Sequence, residues 1–254
     1  MVKVNVYNKT GGVAGQVDLP AAFTAEYRPD LIRKAVNTFH ANARQPYGAS
    51  SYGGKQHAER SVRSGQGISR VPRMRQGSKA VFSPAVVGGR RAHPPKVERV
   101  WAEKINKKEK LAAFRSALAA LASAEMVSSR GHQFKEGVTL PVVLEDTLAN
   151  TEKTSDVVAL LEALGLGGDL ERADAGHKQR PGRGKMRGRR FRTPRSVLVV
   201  APAGAAIHDA ARNIRGVETS TPENLNVDKI APGGDAGRLT VFTASALRTL
   251  EDVQ

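Results

Sequence analysis

Apolar positions recur along this chain in two rhythms. Val2, Val4 and Val6 alternate with polar residues between Val2 and Tyr7, the period of a strand with one covered face, and Gly11-Gly12 turns the chain toward a second short strand over Gln16–Leu19. Pro29 and Asp30 then open a helix predicted through about Asn42, with Leu31, Ile32, Ala35, Val36 and Phe39 as its inward stripe. A second helix-like stretch starts at Asn106, read as an N-cap with Glu109 three residues on, and carries Leu111, Phe114, Leu118 and Leu121 at three- and four-residue spacing to about Ser123. From Leu140 the rhythm changes. Pro141–Leu144, Val197–Val200 and Leu239–Phe242 are short continuous apolar runs, each followed by a helical pattern: Val157, Leu160, Leu161 and Leu164 behind a Thr154 or Ser155 cap and ended by Gly165 and Gly167; then Ile207, Ala210, Ala211 and Ile214; then Leu247 and Leu250 behind a Thr243 cap. Strands without alternation are covered on both faces, as in a parallel sheet. The expected fold is therefore α/β: one three-layer domain, residues 1–254, with a mainly parallel central sheet.

Two stretches have neither rhythm. Residues 44–99 hold twelve Lys and Arg against Glu59 and Glu98, with eight glycines, and residues 172–195 hold ten against Asp174 alone. Together they carry 22 of the 40 basic and 3 of the 24 acidic residues, so the net charge of +16 resides there and the remainder is slightly acidic. A solvated surface kept for solubility spreads its charge; this concentration beside glycine is the footprint of nucleic-acid binding. We therefore expect the single domain to be interrupted by an extended basic arm at about 44–100 and a second basic loop at about 172–195. Folded back on itself, the arm has about 28 residues each way and reaches at most about 90 Å, at roughly 3.3 Å per residue. Such a length suits the interior of a large RNA particle.

The candidate RNA contacts follow from residue type. Guanidinium and ammonium groups neutralise phosphates, glycine lets the backbone approach, and exposed rings stack on unpaired bases. In the arm these are Arg44, Tyr47, Tyr52, Lys55, Arg60, Arg63, Arg70, Arg73, Arg75, Lys79, Arg90, Arg91, His93, Lys96 and Arg99; in the loop, Lys178, Arg180, Arg183, Lys185, Arg187, Arg189, Arg190 and Arg192. Catalytic readings fail on spacing. Gly182-Arg183-Gly184-Lys185 lacks the P-loop's earlier glycine, since Gln179 stands there, and its following hydroxyl, since Met186 does; Gly65-Gln66-Gly67 has Arg70 where a dinucleotide fingerprint needs glycine. Six histidines stand apart without metal-site spacing, and no cysteine is present. No apolar run approaches a bilayer span, and the N-terminus lacks a signal peptide's apolar centre, so the expected location is cytoplasmic, with no enzyme activity, cofactor or metal. An RNA-processing enzyme with basic arms and a DNA-compacting protein are the alternatives from other classes.

Four motifs carry a resemblance. Ser64-Gly-Gln-Gly-Ile-Ser-Arg-Val-Pro-Arg73, Gly88-Gly-Arg-Arg-Ala-His-Pro-Pro95, Ala211-Arg-Asn-Ile-Arg-Gly-Val217 and Ala231-Pro-Gly-Gly-Asp-Ala-Gly-Arg-Leu239, in this order, resemble large-subunit ribosomal protein four in its archaeal form, over essentially the whole chain. The resemblance implies a structural constituent of the large subunit that binds its rRNA early in assembly, with no catalytic activity. It also implies a loop that lines the peptide exit tunnel. By motif position the tip of that loop is Arg63, Ser64, Gly65, Gln66, Gly67, Ile68, Ser69 and Arg70. The implied partners are large-subunit rRNA, neighbouring ribosomal proteins including protein twenty-two at the tunnel constriction, and the nascent peptide at the tip; no membrane is involved.

Overall fold

The computed structural model describes residues 2–252 and divides them into two compact units, one formed by residues up to His40 together with those from Lys104, the other by Ala41–Glu103. In the first unit, β1 (Lys3–Tyr7) pairs antiparallel with β2 (Val13–Asp18), and helix α1 (Pro29–Asn42) follows. The second unit contributes only the two-residue strands β3 (Glu59–Arg60) and β4 (Arg73–Met74). Returning to the first, the chain forms α2 (Lys107–Leu121), α3 (Ala124–Ser129), β5 (Val142–Leu144), α4 (Thr154–Ala163) and α5 (Gly167–Ala175). A small ladder of β6 (Lys178–Gln179) with β7 (Phe191–Arg192) precedes β8 (Leu198–Val200), α6 (Ile207–Arg212), β9 (Glu218–Ser220), α7 (Val227–Ile230), β10 (Thr240–Thr243) and α8 (Ala244–Asp252).

The six-stranded sheet runs β2-β1-β5-β10-β8-β9, parallel throughout except for β2 at its edge. Its central strands are buried on both faces, which is why their sequences show no alternation. Val143, Leu198, Val200 and Phe242 join the layer built with α1, α2 and α8; Val142, Leu144, Val199 and Val241 join the opposite layer with α4 and α6. Phe23 meets Phe242 edge to face, with ring centroids 6.0 Å apart.

Several expectations need correction in detail. The second strand begins at Val13, earlier than expected, because an edge strand lying mostly in solvent has no apolar alternation to mark it. On α1, Ile32, Ala35 and Val36 are buried, but Leu31 is only partly so and Phe39 is 44% exposed. On α2 the buried face is small, Ala113, Ser116, Ala117 and Ala120 beside Leu118 and Leu121, so Leu111 is left at the surface and Phe114 is partly covered. Asn106 occupies the cap position of α2 without a side-chain cap bond, and Ser123 instead caps α3 by accepting from Met126 N–H. Lys153, not Thr154 or Ser155, is the cap residue of α4, and Gly167 opens α5 rather than only ending α4. Thr243 does cap: its hydroxyl accepts from Ala246 N–H at 3.3 Å.

Candidate nucleic-acid interface

Ala41–Glu103 is held together by backbone geometry rather than by a core. At its base Asn42 Oδ1 accepts from Glu103 N–H at 2.9 Å, and Tyr47 stacks on Trp101 with ring centroids 5.7 Å apart. The guanidiniums of Arg44 and Arg99 lie 4.0 and 4.3 Å from the Trp101 ring. Such cation–π contacts fix arginine heads without neutralising them. Farther along, the outgoing and returning strands run side by side: Ala49 N–H donates to Pro95 C=O at 2.9 Å. A Cβ on Gly48 would stand 2.8 Å from Val97, and one on Gly54 would stand 2.6 Å from the Arg90 backbone, so only glycine permits this approach.

Beyond that point β3 pairs antiparallel with β4, Glu59 opposite Met74 and Arg60 opposite Arg73, and Arg73 bridges on to Ala80. Arg63, Ser64, Gly65, Gln66, Gly67, Ile68, Ser69 and Arg70 all fall in the loop that this ladder closes, and all are exposed. Tyr47, Tyr52, Lys55, Arg60, Arg75, Lys79, Arg91, His93, Lys96 and Arg99 are exposed as well; Arg73 and Arg90 are half-buried, Arg73 by donating to Ser78 C=O at 2.5 Å and Arg90 by lying 5.7 Å over Phe82. Val81 is the only buried residue between 44 and 100. Among the described residues, none of the twelve basic side chains of this stretch pairs with an acid.

The second basic stretch is a short hairpin of the first unit. Lys178 pairs with Arg192 and Gln179 with Phe191; a 3₁₀ turn, Arg183–Arg187, sits at its end between Gly182 and Gly188. His177 stacks on Phe191 at 4.8 Å and its Nδ1 meets the Thr193 hydroxyl at 2.8 Å. Arg180 is half-buried, while Lys178, Arg183, Lys185, Arg187, Arg189, Arg190 and Arg192 are exposed, and none of the eight has an acidic partner among the described residues. The basic residues that bracket them behave otherwise. Arg172 Nε donates to Asp169 at 2.9 Å, and Arg195 pairs with Glu218.

Asp169 is the anchor. It is fully buried and accepts from His132 Nδ1 at 3.1 Å, Gln133 N–H at 3.1 Å, Arg172 Nε and the Ser196 hydroxyl at 2.5 Å. Burial pushes its pKa up, but the hydrogen bonds from His132, Arg172 and Ser196 outweigh that and hold it well below the usual carboxylate range. Arg238, also fully buried, donates to Ser196 C=O at 3.0 Å, to Lys229 C=O at 2.9 Å and to Glu218, tying β8, β9 and α7 together. None of this was legible in the sequence, where these residues are isolated between positions 132 and 238. Among the described residues no group of three or more His, Asp or Glu side chains is placed to hold a metal, and no helix is long and apolar enough to cross a membrane.

A family model described as the ribosomal protein L4/L1 family matches residues 17–253. The chain is similar to proteins called large ribosomal subunit protein uL4: it is 47% identical to that of Methanoregula boonei over 98% of this chain and 99% of the relative, and 45% identical to that of Thermoplasma acidophilum over 99% and 98%. The protein of the same name from Methanosphaera stadtmanae is 42% identical over the full length of this chain and 98% of its own.

Proposed function

We propose the following role for this chain, which belongs to the ribosomal protein L4/L1 family. It is a structural protein of the large ribosomal subunit, with rRNA and other ribosomal proteins as its partners. Within that role, the stretch at about 44–100 is an rRNA-penetrating arm and the loop at about 172–195 a second rRNA contact, on a single folded body. The arm enters the subunit's RNA as the particle assembles, with its loop Arg63–Arg70 reaching the wall of the peptide exit tunnel opposite protein twenty-two, beside the nascent peptide. The protein performs no catalysis there and works in the cytoplasm.

One observation carries this reading: a stretch with twelve basic side chains, no acidic partner for any of them among the described residues and one buried residue. A segment that makes so little of its own interior needs a polyanion to order it, because apolar burial cannot offset the entropy of fixing its backbone. Arginine and lysine displace the counterions of RNA phosphates, and binding built that way weakens with salt unless the protein is enclosed by the RNA. The test is sedimentation of native lysate through sucrose at moderate and then high salt, following the chain by mass spectrometry. An enclosed arm keeps it with the large subunit after exposed ionic contacts are screened. Release of the free chain at high salt would leave a peripheral binder and refute the arm's role.

A further inference from the structure

The first unit carries a basic cleft in which Arg130, outside both basic stretches, meets the two ends of the second. It has a volume of about 550 Å³ and is lined by Arg130, His132, Arg172, Arg192 and Arg195, with Asp235 as the acid on its wall. These come from the end of α3, from α5 and from the strand leaving the hairpin, so no sequence window contains them. Asp235 is largely exposed and reaches Arg33 at 3.4 Å. Of its four guanidiniums, Arg172 is paired with Asp169 and Arg195 with Glu218, which leaves Arg130 and Arg192 as the open charges against one solvated carboxylate.

Arg130 is the informative residue. Its Nη2 donates to Pro232 C=O at 2.8 Å, which fixes the guanidinium plane, while Nη1 is sheltered from solvent and has no partner among the described residues. Leaving a sheltered charged donor unpaired costs more than an ordinary hydrogen bond returns. Burial accordingly pushes the Arg130 guanidinium down from its ordinary pKa. Arg172 is held in place by Asp169 and by donating to Arg195 C=O at 2.7 Å, and Arg192 is exposed with no acidic partner among the described residues. The unpartnered Nη1 of Arg130 and the open guanidinium of Arg192 match the oxygens of a tetrahedral phosphate, with Arg172 and Arg195 adding fixed charge behind them.

We propose that this cleft is a phosphate-binding site, and that the phosphate is a backbone phosphodiester of RNA continuing from the basic hairpin whose last residues form the cleft wall. The assignment rests on the rRNA-binding role proposed above and adds to it a contact made by the body. Arg130 is its central ligand. Arg192 supplies the outer charge, and Asp169 acts through Arg172 and His132 as a positioning group.

The test compares full-length chains on full-length archaeal large-subunit rRNA transcribed in vitro, over a salt series. Arg130→Gln should weaken binding about tenfold and flatten the salt dependence by about one phosphate contact. Arg130→Lys should keep the charge but only part of the affinity. Since Arg130 also supports Pro232, Arg192→Gln provides the control for folding; it lies at the surface, should leave thermal unfolding unchanged and should still flatten the salt slope. Arg70→Ala, in the arm, reports separately on the general reading. If Arg70→Ala weakens binding while Arg130→Gln and Arg192→Gln bind as the parent does, the cleft is refuted and the rRNA-binding role survives. If the parent chain does not bind rRNA, both are lost. A parallel arm titrates inorganic phosphate by thermal shift: stabilisation that Arg130→Gln abolishes, with rRNA binding intact, would make the cleft a site for free phosphate and overturn its assignment to RNA.

Discussion

The arm and the hairpin look alike in composition and differ in what holds them. Both are glycine-rich and cationic, and in each a ladder of two residue pairs closes a loop. The hairpin is bracketed by charges that are spoken for, Arg172 on Asp169 and Arg195 on Glu218, so its root is part of the folded sheet's own network. The arm's nearest equivalents, Arg44 and Arg99, lie against Trp101, an uncharged ring. Charge that is neutralised inside the protein fixes position; charge left open recruits a ligand. The same residue type therefore does opposite work at the root and in the middle of one basic run, and only the partner tells which.

Removing the arm should give the largest effect. Replacing Gln45–Lys96 by a short glycine linker should abolish stable association with the large subunit in sedimentation, yet leave cooperative thermal unfolding of the remaining body; loss of that transition would show that the two regions are not separable. Next comes the hairpin's anchor. Asp169→Asn leaves Arg172 and His132 facing a neutral group and should cost about 3 kcal/mol in denaturant unfolding, the scale for breaking a buried pair. Because the native carboxyl titrates below its unfolded value of about 3.9, its contribution is fully present above about pH 5 and is lost as pH falls through the native titration. The parent should therefore lose more stability on acidification than Asp169→Asn does.

A smaller change is expected from the open charges. Alanine at Arg183, Lys185, Arg187 and Arg189 together should flatten the salt dependence of rRNA binding by about 3, at roughly 0.7 per phosphate contact, without moving the melting temperature. An equal loss of stability would mean that the hairpin's charges are internal like those at its root. Smallest is Tyr52→Ala in the arm, whose side chain is 66% exposed: loss of one stacked base should weaken rRNA binding by about 1 kcal/mol, read in the same titration. No change there would assign Tyr52 to the arm's own surface.

How much of this could be read in advance follows from where each signal lives. The sheet was legible because Val142–Leu144, Leu198–Val200 and the Val241-Phe242 centre of β10 are covered on both faces and so are written with apolar residues in succession. Strand β9, Glu-Thr-Ser at the sheet's edge, and helix α5, which opens on two glycines, carry no such pattern and were missed. Phe39 and Leu111 fit a helical stripe by spacing yet remain at the surface, since periodicity states which face turns inward and not how far cover extends. The basic stretches announced themselves through charge density alone. Asp169, His132, Arg130 and Arg238 meet only through the folded connections, and no spacing rule joins residues so far apart.

The ladder between β1 and β5 has a consequence for synthesis. Val6 pairs with Val143, so the first strand to leave a translating ribosome waits for its central partner while the whole arm is made. At about 5–20 residues per second that wait lasts roughly 7–27 s. Throughout it the nascent chain displays its long cationic arm beside an unfinished sheet. Maturation of this protein is therefore a race between body closure and mistaken capture, and synonymous codon changes that slow elongation between residues 100 and 143 should lower its soluble yield without altering a single side chain.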